Sequence, residues 1–207
     1  MRVVLAGFGP FPGAPINPSA VLVRALSRRR RPALAGLSLK AHAFATTYAG
    51  VDRDLPKLFA EKPDIVLMFG LAARSRQIRI ETRARNAVSV LFPDASGYRP
   101  DRNIIASGAP PVLRGNAPFA RLLAALRSSA VPGRLSRDAG RYVCNYAYWR
   151  ALRHSRSGHR PLIQFVHIPP VAPAARPRRT KYPPPSLAAL TRGTENLLIA
   201  LVAASRR

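Results

Sequence analysis

The sequence predicts an α/β fold: a single-domain, three-layer α/β/α sandwich around a mostly parallel sheet. Two observations carry this. Apolar runs of strand length alternate with helix-length amphipathic segments, the order that strand–helix–strand crossovers produce. The runs at 2–7, 63–70 and 161–167 are apolar almost throughout, as befits buried strands. Size agrees, since 207 residues with 47% hydrophobic content suit one core, and 1–207 is taken as one domain.

Each element has a local cause. Residues 2–7 read as a first buried strand, broken by Gly9-Pro10-Phe11-Pro12-Gly13. Asn17 is placed to cap a helix with Pro18 in its first turn, running to about Arg30. Residues 37–45 alternate as a second strand, and Thr47 can cap a helix reaching about Ala60, with Pro56 set to kink it. The run at 63–70 is a strand ending on Gly70, and 78–81 is a short one. Residues 92–108 are turn-rich, 117–128 are helical, and Cys144 opens a helix to about His154. A strand at 161–167 stops at Pro169-Pro170. The Pro- and Arg-rich stretch 171–185 reads as an exposed, mobile loop, and Ser186 caps a last helix to about Ala204.

Composition narrows the function classes. One cysteine excludes an internal disulfide and fits a reducing, cytoplasmic setting. The apolar start is too short for a signal peptide, and no stretch reaches the roughly 18 apolar residues of a membrane span, so no membrane partner is expected. The net charge of +25 comes almost wholly from arginine. Those arginines are scattered, and the clusters at 28–31 and 176–181 carry no interleaved aromatics to stack on bases. Non-specific nucleic-acid binding at low salt is therefore the expected consequence, with a dedicated basic polyanion-binding protein as the alternative of another class.

The chemistry gathers on Cys144. Unpaired N–H groups and the helix dipole at a helix start favour a thiolate. His167, at a strand end later in the chain, can serve as base, and Glu81 as the group that orients it. A lone cysteine is also commonly an inert core residue, and Glu81 lies between Arg79 and Arg83, where a structural ion pair is the alternative. His42, His154 and His159 lack paired ligand spacing, so no metal or other cofactor is expected. In an open α/β sheet the strand C-terminal edge collects active-site residues, and 7–13, 70–74 and His167 fall there.

Three segments carry a resemblance: Gly7-Phe8-Gly9-Pro10-Phe11 with Asn17-Pro18-Ser19; Gly140-Arg141-Tyr142-Val143-Cys144-Asn145; and Phe165-Val166-His167-Ile168-Pro169. Together they resemble the pyroglutamyl peptidase I family of cysteine peptidases, over nearly the whole chain. Glu81, Asn86, Pro93-Asp94 and Gly97 stand in the order of that family's glutamate region. The resemblance implies an α/β/α domain with a twisted, mixed sheet, and removal of N-terminal pyroglutamate from peptides through a thioester. It implies Cys144 as nucleophile, His167 as general base and acid, and Glu81 as its orienter. Phe8, Phe11, Tyr142 and Val143 would line a lactam pocket, and the resemblance suggests a homo-oligomer, dimer or tetramer. Two positions depart from the pattern: Leu71 stands where a glutamine is common, and Leu91 replaces an arginine that lies over the family's catalytic site. Leu91 offers no cation and no side-chain donor. Arg83 and Arg85 are candidates to replace it, and a catalytically weak or inactive homologue with an altered acyl substrate or a binding role is the alternative reading.

Overall fold

The computed structural model describes residues 1–129, 131–155, 160–172 and 183–206. In chain order its elements are β1 (Arg2–Phe8), α1 (Pro18–Ser27), β2 (Ser38–Phe44), α2 (Tyr48–Ala60), β3 (Ile65–Leu71), β4 (Ile78–Glu81), β5 (Arg83–Arg85), β6 (Val112–Arg114), α3 (Phe119–Arg127), β7 (Gly133–Ser136), α4 (Val143–His154), β8 (Leu162–Ile168) and α5 (Leu187–Ser205). A six-stranded sheet runs in the order β2-β1-β3-β8-β4-β7, and β5 and β6 form a separate antiparallel ribbon. β2, β1, β3 and β8 are mutually parallel, while β4 runs antiparallel to β8 and parallel to β7.

Strand alternation sorts the core into two layers. Val4, Ala6 and Phe8 of β1, Val66 and Met68 of β3, and Ile163 and Phe165 of β8 face α2 and α4. The intervening Val3, Leu5, Ile65, Leu67, Phe69, Val166 and Ile168 face α1, α3 and α5. Burial on both faces is why these strands read as unbroken apolar runs.

The helix starts are where their capping residues place them. Asn17 Oδ1 accepts from Ser19 N at 3.1 Å, Thr47 Oγ1 from Gly50 N at 2.9 Å, and Ser186 Oγ from Ala189 N at 3.1 Å. Pro56 does not end α2. It lies on the exposed side of the helix, so its missing N–H leaves the Asp52 carbonyl accessible to water. Helix α5 is long and apolar enough to cross a membrane by length and composition, but half of that stretch is buried inside the protein. Of the stretch 171–185, residues 173–182 lie outside the described residues, and its stems meet where Ala172 N donates to Pro185 O at 3.0 Å.

Candidate active site

The C-terminal ends of β1, β3 and β8 lie side by side, and the site is built there. Gly70 of β3 is in register with His167 of β8. A Cβ on Gly70 would stand 2.7 Å from Cys144 Sγ and 2.9 Å from Phe165 Cζ, so only glycine leaves room for the thiol against the sheet. Phe165 and His167 point to the same face of β8, with ring centroids 5.0 Å apart. Cys144, at the second residue of α4, packs on the core layer that contains Phe165.

Glu81 reaches this face from β4. Because β4 is antiparallel to β8, Arg79 is opposite His167 and Glu81 opposite Phe165. Glu81 is thus the diagonal neighbour of His167, and its Oε1 lies 2.9 Å from His167 Nδ1. The carboxylate can only accept, so Nδ1 carries the proton and Nε2 keeps its lone pair free to act as a base. Glu81 is fully buried, and its Oε1 also meets the Arg79 guanidinium at 3.1 Å. The Glu81 main-chain carbonyl accepts from Tyr148 Oη at 3.1 Å and Gln164 Nε2 at 3.0 Å, which fixes the strand end that carries the carboxylate.

The loop before Cys144 is held on both sides. Gly140 takes φ +84°, a conformation that suits glycine, and its N–H is held by Asp138 Oδ1 at 3.1 Å. Asn145 closes the other side: its Oδ1 accepts from Arg85 N at 2.9 Å, and its Nδ2 donates to the Arg85 and Ala87 carbonyls at 2.8 Å each. Tyr142 stands at the N-cap of α4 without a side-chain cap bond, so the first N–H groups of the helix, Cys144 N among them, remain available to a developing oxyanion.

Burial dominates the thiol. It pushes Cys144 up to about 12, the Glu81 carboxylate adds to the rise, and the Cys144 backbone N–H only partly opposes them. The helix start alone suggests a lowered value, and desolvation outweighs it. Burial and the Glu81 carboxylate both favour the neutral thiol over the thiolate, so a base is needed to draw the proton from Sγ.

The remaining residues named from the sequence are placed differently from one another. Phe8 is fully buried beneath the site, its ring 5.6 Å from Phe44 and 6.2 Å from Phe165. Phe11 is near Tyr142, with centroids 6.4 Å apart, and Tyr142 Oη donates to Pro93 O at 3.0 Å. Val143 is buried in the core, and Leu71 closes β3 beside Gly70. Leu91 is 71% exposed. Arg83 Nε donates to Arg137 O at 2.9 Å, and Arg85 Nε is 3.9 Å from Asp138, so both guanidiniums are engaged on the β7 side. Among the described residues no group of three or more His, Cys, Asp or Glu could hold a metal ion.

Sequence reasoning passed over Arg79 and Asp94 as parts of the site. Arg79 had a signal: two residues before Glu81 on a strand, it must share that residue's face. Asp94 accepts four hydrogen bonds, from Tyr48 N at 3.0 Å, Ser96 N at 2.9 Å, Ser96 Oγ at 2.6 Å and Tyr98 N at 3.2 Å. Burial works to raise its pKa, but these bonds outweigh burial and hold it below the ordinary value.

Comparison with known proteins places the fold in a family. The pyrrolidone-carboxylate peptidase of Thermococcus onnurineus is 36% identical over 171 residues, covering 82% of this chain and 84% of that protein. That of Vibrio vulnificus is 31% identical over 204 residues, covering 96% and 91%. The solved pyrrolidone carboxyl peptidase from Thermococcus litoralis superposes with a TM-score of 0.85 at 26% identity, over 98% of this chain and 93% of that one. Pyroglutamyl peptidase I from Bacillus amyloliquefaciens gives 0.85 at 25% identity, over 99% and 98%. The family model described as pyroglutamyl peptidase matches residues 1–207, and the chain belongs to that family.

Proposed function

We propose that this protein is a cysteine peptidase that removes an N-terminal pyroglutamyl residue from peptides. One observation carries the reading: a buried Glu81–His167 pair lies on the strand face against which the chain's single thiol packs, in a member of the pyroglutamyl peptidase family. His167 Nε2 takes the proton of Cys144 as Sγ attacks the pyroglutamyl carbonyl. The carbonyl oxygen becomes an oxyanion facing Cys144 N and the start of α4, where one such donor is typically worth about 3 kcal/mol. The imidazolium, held by Glu81, gives its proton to the leaving amine. Water, deprotonated by His167, then cleaves the thioester and regenerates the thiol. Phe11 and Tyr142 offer flat apolar walls that suit a neutral lactam ring.

The test is hydrolysis of a pyroglutamyl coumarylamide by the wild type and by Cys144→Ala. Release of the fluorophore that disappears in the variant supports the reading. A wild type indistinguishable from buffer, with Cys144 also inert to iodoacetamide near neutral pH, overturns it.

Cytoplasmic residence, self-association and loose nucleic-acid binding complete the proposal. The single cysteine supports a reducing compartment. Exposed Ile16, Leu91, Phe92 and Tyr98 offer apolar surface for a dimer or tetramer, which light scattering would detect. A groove of about 1050 Å³ lined by Arg83, Arg114, Arg121, Arg134 and Arg137 supports salt-sensitive, non-specific contact with nucleic acid.

A further inference from the structure

We propose that Arg79 is a positioning residue of the acid–base pair: its guanidinium, set against the Glu81 oxygen that also meets His167, holds that carboxylate and ties it to the loop leading to Cys144. The inference rests on the cysteine-peptidase reading above.

Arg79 and Glu81 are two residues apart on β4 and share a face. One guanidinium nitrogen of Arg79 is 3.1 Å from Glu81 Oε1, the atom that His167 Nδ1 meets at 2.9 Å. The same nitrogen donates to Ser136 Oγ at 3.0 Å and to the Asp138 carbonyl. Ser136 ends β7, and Asp138 lies in the loop that leads through Gly140 to Cys144. Arg79 therefore ties the carboxylate to the approach to the nucleophile as well as to the histidine. It is itself mostly buried, with 21% of its side chain exposed, so its charge is only partly screened.

The electrostatic consequence follows from what surrounds the pair. Glu81 is fully buried, and its Oε2 has no hydrogen-bond partner. A carboxylate this buried, with one oxygen unpartnered, depends on a nearby cation, and Arg79 is placed to supply it. The titratable groups facing the pair are Arg79 from β4, Arg134 beside it in register on β7, and Cys144 and Tyr148 from α4. Cys144 and Tyr148 are neutral at neutral pH, both pushed up chiefly by burial. Arg134 is exposed. The partly buried cation in ion-pair contact with Glu81 is therefore Arg79.

The test uses Arg79→Gln and Arg79→Met, which remove the charge, and Arg79→Lys, which keeps it. Two pH profiles are read: kcat/KM on a pyroglutamyl coumarylamide, and alkylation of Cys144, the only thiol, by iodoacetamide. Removing the cation makes the coupled Cys144–His167–Glu81 set hold protons more tightly, so its acid limb moves to higher pH by about one unit or more. Arg79→Lys keeps the limb within a few tenths of a unit. A limb unmoved in a folded Gln or Met variant overturns the proposal, as does an equal loss at every pH in both the Gln and Lys variants. Arg79→Gln can still donate one hydrogen bond and decides between these outcomes where Arg79→Met does not fold. A wild type inert to the substrate whose alkylation limb still shifts in Arg79→Gln counts against the pyroglutamyl substrate and supports the role of Arg79. An active wild type with unmoved limbs does the reverse.

Discussion

At the residue scale, the site depends on two side chains and one absence. Glu81 sets the tautomer of His167, so Glu81→Gln keeps the shape and presents the wrong hydrogen-bonding partner. It should lower kcat by about 10²–10⁴-fold with little change in KM, read by steady-state kinetics. Gly70 is the absence. Gly70→Ala would put a methyl group 2.7 Å from Cys144 Sγ and 2.9 Å from Phe165, which forces the helix or the ring to move. The variant should be inactive and destabilised by about 1–3 kcal/mol in urea melts, and full activity would show that the thiol does not need that space. Leu91 stands where the family resemblance expects an arginine, and it is exposed. Leu91→Arg should raise kcat/KM by about tenfold if a cation there assists the oxyanion, and an unchanged value would show that this chain manages without one.

At the element scale, the irregular segment between β5 and β6 is ordered by side chains rather than by backbone ladders. Asn86 Oδ1 accepts from Ile105 N at 3.0 Å and Ala106 N at 2.9 Å, and its Nδ2 donates to Ala106 O at 2.8 Å and Ala109 O at 3.2 Å. Asp94 does the same for the turn at 94–98 and anchors the start of α2 through Tyr48 N. Asp94→Ala leaves four donors without their acceptor. It should cost about 1–3 kcal/mol in a thermal or urea melt and raise KM, because Tyr142 Oη is held by the neighbouring Pro93 carbonyl. These devices were half legible: the turn residues predicted irregular structure, but not which carboxylate or amide would organise it. The ribbon of β5 and β6 was not legible at all. Its strands are three residues each, Arg-Ala-Arg and Val-Leu-Arg, too short to show a period. β7 is equally short of signal, because two of its four residues are exposed at the sheet edge.

At the scale of the whole molecule, buried acids of high pKa set the alkaline limit of stability. Burial pushes Cys144 and Tyr48 up to about 12 each, and Tyr146 and Tyr148 higher still. An unfolded chain ionises these groups near 9 to 10, so above that range it releases protons that the folded chain retains. The stability they contribute is complete below pH 9 and is lost as pH rises toward 12. Urea midpoints should fall steadily above about pH 9, with tyrosinate absorbance appearing together with unfolding. A midpoint constant to pH 11 would contradict the burial of these groups.

The sequence by itself determined the layered fold and the family, and it named the candidate reactive groups. Capping residues and unbroken apolar runs are local signals, and they located α1, α2, α5 and the strands β1, β3 and β8 within a few residues. The order Glu81, Cys144, His167 was likewise readable from motifs. Only the tertiary structure decided how those groups are electrically set. β4 reverses against β8, and that reversal brings Glu81 diagonally to His167 and seats Arg79 on the same oxygen. Burial then overrides the helix start at Cys144 and makes the thiol dependent on its base. Strand direction and desolvation depend on which segments lie across space from one another, and no window along the chain contains that information.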